Sequence, residues 1–267
     1  MNKIQSFEQY KEIVADAKKN GCKLSNCFFM PAAIRQKIAD GTLYFESIDG
    51  GLLILEDFTD FYRCYYYLSE SADLKPVSFD KQTVVEFPFT GDLGEKQKLQ
   101  ISKIEAMGFH LGRESGLMVC PSDRIVIRTI DQPDFFVETA TENDAQKVYA
   151  LFTGNFNPLY AYTPTLSELY ELIGNGYVLV IRSGDDIAAA LVCSAEKGVA
   201  TSTHLIVDSA YRGKKLGLMM FQAYHKKYMD EVTSFQHWVD RHNTLAINMY
   251  YKFGYEFSPR NANEYIL

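Results

Sequence analysis

The apolar run Leu205-Ile206-Val207 leads through Asp208-Ser209-Ala210-Tyr211 into Arg212-Gly213-Lys214-Lys215-Leu216-Gly217. That order predicts a strand, a short turn rich in glycine and cations, and a helix that opens at the turn. The first amides of a helix have no partner within it, and the helix dipole adds partial positive charge at the same end. Glycines let the backbone approach a ligand closely, while Arg212, Lys214 and Lys215 add formal charge on that side. Such a turn is an anion site of the kind that holds phosphate. A glycine-rich turn can also do no more than close a tight connection, and on the turn alone both readings stand.

A second constellation follows downstream: Asn243, Ala246, Asn248, Tyr250, Lys252, Gly254 and Tyr255. On a helix Ala246, Met249, Tyr250 and Phe253 share one face, which turns Tyr250 inward and Tyr251 elsewhere. A small Ala246 on that face lets another group lie close to the helix. With both motifs in this order, the second half of the chain, about residues 134–267, resembles the GNAT superfamily of acyl-CoA-dependent N-acyltransferases. The family's pyrophosphate loop, Arg/Gln-x-x-Gly-x-Gly/Ala, ordinarily has a glycine where this chain has Lys215. A lysine there is harmless if its backbone is already helical, with φ near −60°, and strained by roughly 1 kcal/mol or more if φ must be positive. The helical backbone is the expectation, because residues at a helix start commonly adopt it.

The resemblance implies an acetyl-CoA site and a direct transfer. Leu205, Ile206 and Val207 would offer backbone groups to the amide-bearing pantetheine arm, in the manner of an added strand. Amides from Arg212 through Gly213, Lys214, Lys215 and Leu216 to Gly217 would hold the pyrophosphate, and Asn243 would bind or position the arm. A backbone N–H near Leu205 would stabilise the tetrahedral oxyanion, and Tyr250 would give its proton to the departing thiolate. Taken without the motif, Tyr250 is simply a packed aromatic. The acceptor would be a primary amine on a small molecule, a peptide or a protein. An amine with pKa near 10.4 is neutral in only about one molecule in a thousand at pH 7, so something must take its proton. His204, on the strand before the pantetheine edge, titrates in the useful range. Glu196 and His237 are weaker choices, and water alone also remains open. The region 155–162, Asn155-Phe156-Asn157-Pro158-Leu159-Tyr160-Ala161-Tyr162, is placed to shape an acceptor pocket for a bulky or apolar amine, or to be a packed connection.

Other chemistry is disfavoured. Cys193 lies in the apolar run 188–193, where a buried thiol is inert, and Ser115 does not sit as a nucleophile elbow requires. Neither the five cysteines nor the five histidines are spaced as metal ligands, so no metal site is expected. The odd number of cysteines without a close pair fits buried thiols in a reducing cytoplasm. The net charge of −7 argues against bulk nucleic-acid binding and is compatible with cationic substrates. Residues 1–21 resemble no signal peptide, and no run approaches a membrane span.

At 267 residues the chain is long for one core and natural for two. A boundary is expected at Ile130-Asp131-Gln132-Pro133-Asp134, after a strand-like run from Arg124 to Arg128. Domains of 1–130 and 134–267 follow, both of an α/β class with mixed α+β sheets. In the first, helices are expected at Phe7–Lys19, from Pro31 to near Gly41, and from about Glu95 to Met107. A hairpin turns at Asp49-Gly50-Gly51, and strands cover Phe61–Leu68 and Thr83–Phe89. In the second, strands at 177–182, 187–194, 199–207 and 235–239 alternate with helices that include Leu216–Tyr228, with Leu216, Met220, Ala223 and Lys227 along one face. Met107-Gly108-Phe109 echoes Phe253-Gly254-Tyr255, so the first domain is read as a degenerate GNAT-like half with no cofactor site. It could wall the acceptor pocket, mediate a homodimer or bind another partner. A second class of function, a non-catalytic sensor of CoA or acyl-CoA, stays open because of Lys215.

Overall fold

The computed structural model describes every residue except Thr129 and Asp131, so part of the expected boundary run lies outside the described residues. Backbone packing divides the chain into two compact units, Met1–Ser115 with Pro259–Leu267, and Gly116–Ser258.

The first unit carries β1 (Asn2–Lys3), α1 (Phe7–Lys19), β2 (Cys22–Ser25), α2 (Pro31–Ala39), β3 (Leu43–Ile48), β4 (Gly51–Asp57), β5 (Phe61–Ser69), β6 (Gln82–Thr90) and α3 (Glu95–Ala106). The strand β7 (His110–Pro121) leaves it, and the end of the last strand, β13 (Glu256–Ile266), returns to it. Strand order is β1-β3-β4-β5-β6-β13, with β2 added to β5. Among the described residues of this unit only β5 and β6 pair in parallel; β6 and β13 are antiparallel. Local signals explain the helices. The Ser6 hydroxyl accepts the Gln9 amide at the start of α1, and Lys18 and Lys19 complement its last turn. Pro31 opens α2, where its missing N–H costs nothing.

The second unit carries β8 (Val137–Thr139), α4 (Ala145–Thr153), α5 (Leu166–Gly174), β9 (Val178–Ser183), β10 (Asp186–Glu196), β11 (Val199–Val207), α6 (Leu216–Tyr228), β12 (Ser234–Asp240) and α7 (Thr244–Tyr251). Its order is β7-β12-β11-β10-β9-β8, antiparallel from β8 to β11 and parallel between β11 and β12. Thr165 and Glu168 form a capping box at α5, as the Thr165 cap predicts. Alternation along β9 and β10 splits the core. Leu179, Ile181, Ala189, Leu191 and Cys193 face α6 and α7, while Val178, Val180, Ala190 and Val192 face α4 and α5.

With β2 of the first unit and α6 of the second set aside, each unit runs through one order: a strand, two helices, three antiparallel strands, a strand parallel to the third, a helix and a strand. The GNAT-like reading of the first half is therefore met in its fold. The two differ after the third strand of the run. In the second unit α6 stands between β11 and β12, whereas in the first unit residues 70–81 join β5 to β6 without a helix.

One local expectation is corrected. The run from Arg124 to Arg128 is not a strand: a 3-10 turn covers Ser122–Arg124, and the Val126 amide donates to the Phe253 carbonyl at the end of α7. The buried stripe of α6 is Leu216, Met220, Phe221, Tyr224, His225 and Tyr228, while Lys227 is exposed and caps the Gly176 carbonyl.

Candidate active site

The parallel ladder between β11 and β12 is short. It pairs Val199, Ala200 and Thr201 with Ser234, Phe235 and Gln236, and the Gln236 side chain donates to the Thr201 hydroxyl at 3.2 Å where it ends. Beyond Thr201 the edge of β11 that faces β12, residues 202–207, has no strand partner among the described residues. The two strands thus open a cleft whose β11 side is a row of backbone donors and acceptors. Leu205, Ile206 and Val207 line it.

The cleft leads to the cationic turn. The Asp208 amide is tied to the Ala188 carbonyl, and the Asp208 carboxylate accepts the Ala210 amide at 2.9 Å, which fixes where the strand stops. A 3-10 turn over Ser209–Tyr211 follows, then Arg212 in extended geometry, whose Nε lies 3.4 Å from the Val207 carbonyl oxygen. Among the described residues the amides from Gly213 to Leu218 have no hydrogen-bond partner. That row of unpaired donors at a helix start meets the requirement of a phosphate site. Leu216 is buried and anchors the helix, so only its backbone is available, while Arg212, Gly213, Lys214 and Lys215 are exposed. The Lys214 ammonium stands 5.3 Å from the Phe135 ring centre and 5.2 Å from that of Tyr211, which holds it in an aromatic corner.

Lys215 departs from the expectation. Its φ is 62° and ψ 15°, left-handed rather than helical, and it is the residue that opens α6 without a side-chain cap. Gly213, two residues earlier, has φ 82°. The family glycine at position 215 therefore has a conformational reason, and this chain carries the strain of an L-residue there.

On the face of the sheet toward α6 and α7, Tyr250 lies in an aromatic nest. Its ring centre is 3.8 Å from that of His237 and 4.8 Å from that of Phe221. His237 is the first residue of β12 past the ladder, so Tyr250 stands at the apex of the cleft. Burial raises the pKa of its phenol, which keeps it protonated, and burial is the sole influence on it. His237 is 2% exposed with neither ring nitrogen hydrogen-bonded, and burial followed by the nearby His225 lowers its pKa to about 3. A neutral ring of that kind is a poor base at neutral pH. Asn243 caps α7, its side-chain oxygen accepting the Ala246 amide at 3.1 Å, and the residue is exposed. Gly254 closes the helix with φ 95°, and a Cβ there would come within 2.8 Å of the Arg124 carbonyl oxygen.

His204 faces the other way. Between Val192 and Cys193 the β10–β11 register slips by one, leaving Thr203 as an extra residue on β11. Ala200, before the slip, and Leu205 and Val207, after it, pack toward α6; Ile206 packs toward α4 and α5. His204 shares that second side, with ring centres 5.4 Å from Phe152 and 5.1 Å from Phe156, and its Nδ1 lies 3.0 Å from the Thr203 hydroxyl. Burial lowers its pKa, partly offset by a backbone hydrogen bond to Tyr162. The region 155–162 thus reaches His204 through Phe156 and Tyr162. Glu196 is exposed at the far end of β10, paired with Lys197 beside the 197–198 turn, away from the cleft. Cys193 is buried and its thiol is pushed up to about 11, first by desolvation. The slip at Thr203 had no signal in the sequence, because three successive apolar residues, 205–207, suit either phase. Among the described residues no cluster could hold a metal ion, and no helix is long and apolar enough to cross a membrane.

Residues 174–257 match a family model described as the acetyltransferase (GNAT) domain. That segment is a GNAT acetyltransferase domain, and the class of protein it defines is an acyltransferase. Solved structures share the fold over a longer span. A GCN5-related N-acetyltransferase from Sphaerobacter thermophilus is 12% identical with a TM-score of 0.59, covering 90% of this chain and 86% of its own. A tandem GNAT protein from the clavulanic acid biosynthesis pathway is 12% identical with a TM-score of 0.57, covering 98% and 94%. A GCN5-related N-acetyltransferase from Kribbella flavida is 14% identical with a TM-score of 0.51, covering 90% and 96%. At such identities the likeness is one of fold. No curated protein matches the chain in sequence.

Proposed function

We propose that residues 134–267 carry an acetyl-CoA-dependent N-acetyltransferase site, acting directly on a primary amine, with residues 1–130 as a companion domain. The observation that supports this most is the open edge of β11 running into the unpaired amides at 213–218. Acetyl-CoA fits both: its pantetheine amides suit the edge, and its pyrophosphate suits the amides together with Arg212, Lys214 and Lys215. The bound thioester supplies the acyl group. The amine nitrogen bonds to its carbonyl carbon, the carbon–sulfur bond breaks, and Tyr250, protonated and at the cleft apex, gives the thiolate a proton. The amine loses its own proton on the other side, where His204 lies with Phe156 and Tyr162. Acid and base thus flank the opening from opposite faces, which suits an acceptor that enters from the α4–α5 face. Aromatic walls favour an amine with an apolar or aromatic body, on a small molecule or peptide.

Steady-state turnover of an amine panel with acetyl-CoA tests the reading. Tyr250→Phe is expected to lose turnover and keep CoA affinity; equal turnover by both proteins refutes the role of Tyr250. Binding without turnover of any amine favours a sensor of acyl-CoA. A cytoplasmic location and a homodimer are part of the proposal.

A further inference from the structure

The first unit has the same cleft and fills it with its own chain. Its parallel ladder is equally short, pairing Phe61, Tyr62 and Arg63 with Gln82, Thr83 and Val84. Past it, β5 and β6 part as β11 and β12 do. No helix follows β5, so nothing corresponds to the amides that open α6. Instead β2 lies along the freed edge of β5: Cys22, Leu24 and Ser25 pair antiparallel with Ser69, Leu68 and Tyr67. The next residue, Asn26, continues to the apex. Its side-chain oxygen accepts the Tyr66 amide at 2.8 Å, and its nitrogen donates to the Glu86 carbonyl on β6 at 3.0 Å and to the Cys64 carbonyl at 3.4 Å. Asn26 is 7% exposed. Gln100 adds a bond to the Tyr66 hydroxyl at 3.3 Å.

A carboxamide that accepts from the N–H of one residue and donates to the C=O two residues earlier does what a backbone amide of an added strand does. It is also what a pantetheine amide would do on β11, so the comparison rests on the acyl-CoA reading of the second unit. We infer that residues 22–26 are a built-in occupant of the first unit's cleft, with the Asn26 carboxamide standing where a cofactor amide would. The first unit is a closed copy of the fold, and the chain takes one acyl-CoA. The occupant also satisfies the backbone groups that parting strands leave exposed, which otherwise need water or a ligand.

Hydrogen–deuterium exchange on the full chain without ligand tests the occupant by itself. The Tyr66 amide is expected to be protected, and Asn26→Ala to speed its exchange by about tenfold, the worth of one net hydrogen bond. Asn26→Asp, which keeps an acceptor oxygen but sets a second one against the Cys64 and Glu86 carbonyls, is expected to lose that protection as well. Exchange at Tyr66 in the unaltered protein as fast as at residues 204–207 overturns the inference, as does indifference to Asn26→Ala. Adding acetyl-CoA then separates this inference from the acyl-CoA reading. Protection gained at 199–207 alone, with one equivalent bound, supports both. Protection gained at 61–69 overturns the closed cleft. Protection gained nowhere removes the acyl-CoA reading and leaves the ligand-free exchange to decide the occupant.

Discussion

Replacing Lys215 separates two consequences of one residue, its backbone and its charge. An L-residue in the left-handed region costs about 1–2 kcal/mol, which glycine does not incur. Glycine gives back about 0.4–1 kcal/mol through the greater freedom of the unfolded chain. With φ at 62°, Lys215→Gly should therefore be more stable than Lys215→Ala by about 0.5–1 kcal/mol. For a chain of this size that difference amounts to about 1–4 °C in melting temperature. Both variants lose the same cation beside the unpaired amides, so both should bind acetyl-CoA about two- to fivefold more weakly, with the deficit shrinking as salt rises. Scanning calorimetry and titration on the three proteins read both effects. If position 215 were helical the sign of the stability difference would reverse, because glycine in a helix costs about 0.5–1 kcal/mol relative to alanine. Lys215→Ala as stable as Lys215→Gly, or more so, would refute the backbone argument.

Other consequences can be checked separately. Tyr250→Phe should lower turnover by about 10²- to 10³-fold while leaving CoA affinity within about twofold, since a general acid acts in the transition state and not in binding. His225 and His237 both have pKa values lowered to about 3 by burial, so the unfolded chain binds more protons than the folded one below its ordinary histidine pKa of about 6.5. Their stability contribution is complete above that value and is lost as pH falls toward 3. Chemical denaturation of His237→Phe should show a flatter decline between pH 6.5 and 4 than the unaltered protein. His204→Gln should change the acid limb of the rate–pH profile; an unchanged profile removes His204 as the base. Gly254→Ala should cost about 2 kcal/mol or more, because it meets both a positive φ and the Arg124 carbonyl, and thermal denaturation reads that directly.

Much of the framework was legible because local chemistry and tertiary need agree. Ser6, Pro31 and Thr165 mark helix starts, Gly176 and Gly254 sit just past helix ends, and the run 199–207 is a strand with both bounds as read. The turn before α6 was legible for the same reason: its amides are left unpaired by the helix that begins there. What could not be read depended on partners distant in sequence. β2 is only four residues long and exists because β5 parts from β6 beside it. The run at 124–128 has strand composition, yet one of its amides goes to the carbonyl of Phe253. The face taken by His204 follows from one extra residue at Thr203.

Calorimetric titration of the full chain with acetyl-CoA and with CoA, alongside Arg212→Ala, tests the central claim most directly. One saturable site, weakened about tenfold by Arg212→Ala as for a charge-assisted hydrogen bond to phosphate, is the predicted result. No binding by protein shown to be folded, or binding indifferent to Arg212, would contradict the account.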